Sequence, residues 1–294
     1  MFVVSIGCGL GNQMFQYAFY KELQFQYPCN RITVDICNFY GKKSDGYHLE
    51  RIFGLKLPQC TNRKAMELAD YHGGETMHPI LNKYFALRTI AKGRKGTLIT
   101  VDDPTEFYPE VFKLSTIRSY MFSGTWINEN YFKNVKESLF EDFSFPSLNS
   151  NKNREIAERI RDSNSVSIHM RRGDYITLGI TQVPKDYYKK GIQIMESELG
   201  LNNIRYFVFS DDIEYAKTYF SNLKNVEYVS GNKKEDSYRD MQLMSLCKHN
   251  IIANSTFSYW GAFLNRNSEK LVIAPRIAAK SYHKPFACEG WMLI

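Results

Sequence analysis

The first residues, Phe2 to Ile6, are almost all apolar and rich in β-branched side chains, the pattern of a strand buried on both faces. Glycines at 7, 9 and 11 follow at once. From Asn12 to Tyr27 the apolar residues recur at helical spacing, so Met14, Phe15, Ala18, Phe19, Leu23 and Phe25 are predicted to form the buried side of a helix that Pro28 ends. A second strand is predicted over residues 31–36. A strand, a loop, a helix and a strand in that order open an α/β domain. The pattern is weaker between Asn38 and Phe145, where it predicts helical fragments over 63–71 and 80–90, an aromatic, proline-containing stretch over 103–109 and a strand over 121–127.

The second half is more regular. Helices are predicted over 153–161, 185–199, 213–220, 237–247 and 257–265, and strands over 165–170, 205–210, 226–229, 250–253 and 271–274. Such alternation predicts a mainly parallel sheet with helices on both faces. The polar, turn-rich segment 144–153 is the natural linker. The expected organisation is α/β, with two Rossmann-like domains over residues 1–148 and 149–294.

Composition agrees with a globular protein: 44% of the 294 residues are hydrophobic and 23% charged, enough to build sizeable cores. Most of the 20 Tyr and 20 Phe are expected in those cores, although exposed rings can stack on the apolar faces of sugars. The net charge of +7 suits an anionic partner, but no dense basic run of the kind that binds nucleic acid occurs. A diphosphate-bearing small molecule or an anionic membrane face fits better. The six cysteines are scattered, without CxxC or zinc-ligand spacing, which suggests a reducing compartment. The N-terminus reads as a strand rather than a signal peptide, and no apolar stretch is long enough to span a bilayer. A cytoplasmic protein is expected, and peripheral contact with the inner face of the membrane is compatible with it.

In parallel sheets, ligands lie beyond the C-terminal ends of the strands. Four polar segments meet that condition. Gly7 to Gln13 follows the first strand and places glycines where backbone can approach a phosphate at a helix N-terminus. Its GCGLGN spacing resembles GxGxxG only loosely, because residue 12 is Asn, and a plain tight turn needs the same glycines. His169 to Asp174 follows a buried strand and carries Arg171 and Arg172. A guanidinium offers a rigid fork to phosphate oxygens and keeps its charge. Consecutive side chains diverge, so one arginine is expected to face the ligand while the other pairs with Asp174 or the backbone. His169 reads either as a satisfied core group or as a donor to a base or phosphate. Asp211 and Asp212 read as a helix cap or as acceptors for a guanine or ribose edge. A metal site is disfavoured, since neither DxD nor HxxxH occurs. Ser255, Thr256 and Ser258 begin a helix and are caps or phosphate donors.

Taken together, GLGNQMFQYA, HMRRGDY, FSDD and NSTFSYWGAFLN resemble the α-1,2-fucosyltransferases of glycosyltransferase family 11, in the family's order from residue 7 to residue 265. The HxRRxD element is met in full by His169, Arg171, Arg172 and Asp174. The resemblance implies a GT-B-like fold and a GDP-fucose donor. It also implies inversion at the anomeric carbon, with no divalent metal and no cofactor. It implies that Arg171 is the catalytic residue, on the β-phosphate, with Arg172 supporting the loop. His169 and Asp212 would contact guanine or ribose, with Asp174 and Asp211 in the same donor site. Ser255, Thr256, Phe257 and Ser258 would line the diphosphate, and Gly9, Gly11 and Asn12 would approach the fucose from the first domain. Cys8 departs from the family, which usually has Gly there. The acceptor implied is a galactose-terminated glycan bound by the first domain. Competing readings are a related transferase with another donor or acceptor, and a non-catalytic nucleotide- or carbohydrate-binding protein. A nucleic-acid role would show a steep salt dependence.

Overall fold

The computed structural model describes residues 1–36, 46–61, 64–65, 68, 97–200, 204–278 and 282–294. It divides into two compact units, Met1–Ser144 and Phe145–Ile294.

In the first unit, β1 (Phe2–Ser5), β2 (Ile32–Asp35), β3 (Leu98–Ile99) and β4 (Tyr120–Phe122) form a sheet in the order β2-β1-β4-β3. Every pairing is parallel. Phe2, Val3 and Val4 are wholly buried, which is why β1 reads as a continuous apolar run. The Leu10–Gln26 helix follows, buried nearly all round, down to Glu22, whose carboxylate accepts from the backbone N–H of Asn134 at 3.0 Å. Phe25, expected on the buried side, is instead 59% exposed. The strand expected over 121–127 stops at Phe122, where its pairing with β1 and β3 ends, and Trp126 takes φ 57°, outside any strand conformation. Its indole stacks on Phe19 at 4.1 Å, in a cluster with Phe122 and Tyr131. The rings of this unit are therefore largely core. The helical fragments expected over 63–71 and 80–90 lie outside the described residues, apart from helical Lys64, Ala65 and Leu68.

The second unit holds a six-stranded sheet, β10-β9-β8-β5-β6-β7. Its strands are β5 (Asn164–Met170), β6 (Ile204–Ser210), β7 (Val226–Val229), β8 (His249–Ile251), β9 (Val272–Ala274) and β10 (Met292–Leu293). All its pairings are parallel. Val166, Ile168 and Met170 of β5 pack with Tyr187, Tyr188 and Met195 of the Tyr187–Leu199 helix. Odd-numbered Ser165, Ser167 and His169 are buried as well, but in polar company: Ser167 Oγ accepts from Asn250 Nδ2 at 2.7 Å. The Asn151–Arg161, Tyr238–Leu246 and Thr256–Phe263 helices pack together, close enough at Gly261 that an added Cβ would lie 2.8 Å from Met244 Cε. The linker expected over 144–153 lacks helix and strand only as far as Ser150, whose hydroxyl caps the Asn151–Arg161 helix. Part of it is docked: the buried Arg239 donates to Pro146 O at 2.7 Å.

The strand order reverses between β5 and β8. Later strands add on one side as β6 and β7, and on the other as β8, β9 and β10. In doubly wound sheets the crevice beyond that reversal is where ligands bind.

Candidate functional site

Three of the four predicted segments leave the second sheet side by side at this edge. β5 ends at Met170, and Arg171 and Arg172 form the connection to a five-residue helix, Gly173–Thr177. Arg171 Nη2 donates to Asp174 Oδ2 at 2.8 Å, and its Nε lies 3.2 Å from Asp211 Oδ2. Burial disfavours the Arg171 charge, but Asp174 and Asp211 outweigh it and hold the guanidinium more firmly protonated than usual. The Arg172 guanidinium lies 3.7 Å from the centre of the Tyr215 ring, with Nε 3.3 Å from Asp212 Oδ2. The backbone N–H of Arg172 donates to Asp211 Oδ1 at 2.9 Å. Gly173 suits this crowding, since a Cβ there would sit 3.1 Å from Asp211 Oδ2 and would press on the carboxylate that holds Arg171.

Both arginines are therefore paired with carboxylates, and the one carrying Asp174 is Arg171, the residue assigned to the phosphate by resemblance. Two guanidinium charges face Asp174, Asp211 and Asp212, leaving the cluster one negative charge in excess. A phosphate approaching Arg171 competes with these carboxylates for its charge. Asp212 is also a helix cap, accepting from the Tyr215 N–H at 3.2 Å.

His169 is 4% exposed and its Nδ1 has no partner. Burial, then the charge of Arg171, hold its pKa at about 3, so the imidazole is neutral at any working pH. Its ring centre is 5.7 Å from that of Phe257. Ser255 caps the Thr256–Phe263 helix by accepting from the Phe257 N–H at 3.3 Å. Ser258 is fully buried and its hydroxyl donates to Ala253 O and Ser255 O. The partly exposed Thr256 and Phe257 are the side chains of this segment open to a ligand.

The first unit presents the fourth segment. Gly9 caps the Leu10–Gln26 helix without a side chain, and the N–H groups of Asn12 and Gln13 both reach Gly9 O at 3.1 Å. Asn12 is half-buried and Gly11 buried. Two buried glutamines brace the loop. Gln13 donates to Cys8 O at 2.8 Å and Gly46 O at 2.9 Å, and Gln16 accepts from Gly7 N and donates to Gly124 O. Cys8 has φ 64°, in the left-handed region that favours glycine, which gives physical content to its departure from the family pattern.

Gln13 and Asn254 fell at the ends of predicted segments without a role of their own, and Gln16 and Asp240 were not singled out in the sequence. The glutamines had a signal, being amides in a helix otherwise lined with apolar residues. Asn254 O accepts from the Tyr175 hydroxyl at 2.9 Å, across the strand-order reversal. Asp240 lies near the exit of β7, where Asn232 Nδ2 donates to it at 2.7 Å and burial pushes its carboxyl up to about 7. Among the described residues no group of three or more His, Cys, Asp or Glu is placed to hold a metal ion, and no helix is long and apolar enough to cross a membrane. His48 and Glu50 have HxE spacing, but His48 Nδ1 lies 3.0 Å from Arg51 Nη2.

Comparison with known proteins agrees with the fold. NodZ, an α-1,6-fucosyltransferase co-crystallised with GDP, superposes with a TM-score of 0.51 at 11% identity, over 88% of this chain and 91% of its own. Sequence relatives are nearer. An α-1,2-colitosyltransferase of Escherichia coli is 36% identical, over 93% of this chain and 90% of its own length. The O-antigen biosynthesis glycosyltransferase WbnK of Escherichia coli is 31% identical over 91% of each. The Glycosyl transferase family 11 model matches residues 1–294. A match from the first residue to the last, carried on a GT-B-like pair of parallel sheets, makes this chain a glycosyltransferase of family 11.

Proposed function

We propose that the protein transfers L-fucose from GDP-β-L-fucose to the 2-hydroxyl of a terminal galactose in an oligosaccharide or surface glycan, with inversion and without a metal ion. The observation that carries this reading is Arg171, a firmly protonated guanidinium at the strand-order reversal, 3.2 Å from a carboxylate that a phosphate can replace. In the transfer, the acceptor oxygen bonds to the anomeric carbon as the bond from that carbon to the β-phosphate oxygen breaks. The electron pair leaves with GDP, and the hydroxyl proton passes to solvent. Arg171 meets the charge that grows on the diphosphate, the role usually worth most in such chemistry. Neutral His169, with Nδ1 unpartnered, offers a hydrogen bond to the nucleoside rather than a proton. In an oxocarbenium-like displacement the acceptor oxygen turns acidic as it bonds, so a strong base is unnecessary. The first unit is assigned the acceptor, in a cytoplasmic protein whose basic charge is compatible with peripheral contact at the inner face of the membrane.

A second reading keeps the linkage and changes the donor sugar to colitose, as in the name of the Escherichia coli relative. One assay tests both: GDP release in the presence of EDTA, from GDP-fucose and from the colitose donor, over a panel of galactosides, with wild type and Arg171→Ala. Acceptor-dependent release that resists EDTA and falls at least about a hundredfold in the variant is expected, in line with the loss of one transition-state charge contact. GDP binding without release on any acceptor would support a binding protein, and full activity in the variant would remove Arg171 from the chemistry.

A further inference from the structure

One residue holds both ends of the segment that follows the arginine loop. At the near end, the Tyr175 hydroxyl donates to Asn254 O at 2.9 Å. At the far end, Asn254 Nδ2 donates to Thr181 O at 2.9 Å. Asn254 is 2% exposed and Tyr175 9%. Between these anchors the chain runs out over the surface: Ile176 and Leu178 are 53% and 68% exposed, and Gly179 turns it at φ 64°. A segment that buries so little apolar surface owes its shape to hydrogen bonds. Its own contribution is local, from Ile176 N to Arg172 O, Leu178 N to Asp174 O and Ile180 N to Tyr175 O. Asn254 supplies a tie at each end, and the Ser255 side chain adds a hydrogen bond to Tyr175 at the near one.

The near end is also the end that touches Arg171. Its guanidinium carbon lies 5.9 Å from the Tyr175 ring centre, within cation–π range, and Asp174 in the same short helix accepts its hydrogen bond. Asn254 stands at the exit of β8, the strand beside β5, so the tie crosses the crevice edge. An asparagine that merely satisfied its own amide would need one partner in its own loop. This one uses its backbone carbonyl and its side chain on two points of another segment.

We propose that Asn254 is a positioning residue: it clamps the Tyr175–Thr181 excursion and, through Tyr175 and Asp174, fixes the guanidinium of Arg171. The link to donor binding rests on the reading of Arg171 given above, whereas the clamp stands apart from it.

Two variants test this. Tyr175→Phe removes one hydroxyl and keeps the ring, and Asn254→Ala removes the tie to Thr181. Hydrogen exchange of the amides from Ile176 to Ile180 is measured without ligand, GDP affinity by calorimetry, and donor KM and kcat by GDP release. Each variant is expected to speed exchange in this segment about tenfold or more while the rest of the unit keeps its protection. Each is also expected to weaken GDP binding and raise donor KM by about tenfold. The double variant is expected to be no worse for GDP than the worse single one, because both break one clamp. Unchanged exchange in the segment overturns the clamp, whatever binds. Faster exchange with GDP affinity and KM unmoved overturns the positioning of Arg171. Failure of wild type to bind GDP sinks the donor reading instead, and exchange still decides the clamp. If Asn254→Ala does not fold, Tyr175→Phe decides alone.

Discussion

Asp211 holds Arg171 at 3.2 Å from Oδ2 while its other oxygen accepts from the neighbouring backbone N–H, so the guanidinium assigned to the diphosphate is already paired in the free protein. Asp211→Asn keeps an oxygen for the Arg172 N–H and removes the charge that competes with phosphate. At this half-exposed position one charge is worth on the order of 1 kcal/mol. GDP affinity is therefore expected to rise about fivefold by calorimetry, with loss of affinity showing that Asp211 supports the ligand instead of competing with it.

Buried His169 and partly buried Asp240 oppose each other in their effect on stability. His169 drops from an ordinary value of 6.5 to about 3, so between those values the unfolded chain binds a proton that the folded one does not. Stability from His169 is present above pH 6.5 and lost as the pH falls through that window. Asp240 rises from 3.8 to about 7, so there the folded chain keeps the extra proton, and stability is lost as the pH rises. Over the shared range the two slopes cancel. Asp240→Asn removes one of them. Urea unfolding at pH 4.5, 6 and 8 is expected to show a variant whose stability climbs to about pH 6.5 and passes that of wild type at pH 8. Parallel curves for the two proteins would refute the assignment.

Cys8 takes φ 64° without being glycine. The left-handed conformation costs an L-residue about 1–2 kcal/mol, partly offset by the about 0.5–1 kcal/mol that a glycine loses in chain entropy. Cys8→Gly is expected to gain up to about 1 kcal/mol in thermal unfolding, and the β-branched Cys8→Val to lose at least as much. Equal stability of all three would mean that the loop relaxes freely.

At Gly261 an added Cβ would lie 2.8 Å from Met244 Cε and 3.1 Å from Met244 Cβ. Overpacking of this kind costs about 1–3 kcal/mol, more than the about 1 kcal/mol that alanine gains over glycine in a helix. Gly261→Ala is expected to destabilise wild type and to be neutral or stabilising in a Met244→Ala background, read by denaturant midpoints. The same loss in both backgrounds would place the strain elsewhere.

The sequence was most legible where burial repeats along one element. β5, β6 and β7 were bounded to within a residue because their apolar runs end abruptly in polar exits. Phe25 was misplaced because the Leu10–Gln26 helix is buried nearly all round, which leaves a helical period without a phase. Leu98–Ile99 and Met292–Leu293 are strands only by virtue of their neighbours, and two residues carry no local pattern. The Arg171, Arg172 and Asp174 loop was visible as a site, but its pairing was not: the carboxylate of Asp211 enters from β6, and separation along the chain hides it. Asp240 looks like any solvent-facing carboxylate on an amphipathic helix until the Asn232 amide is seen beside it.

β5 lies inside the second sheet, with β6 on one side and β8 on the other. Val166 is in register with Tyr206 and with His249, partners brought together only when chain of very different separation has closed. Such non-local pairing is slow to form, and the crevice does not exist until it has. Any ligand of that crevice thus binds the finished unit and not its unfolded chain, and at a hundred times its Kd it adds about 2.7 kcal/mol to stability. A melting-temperature screen of nucleotide sugars on the intact protein therefore reads the donor directly, before any acceptor is known.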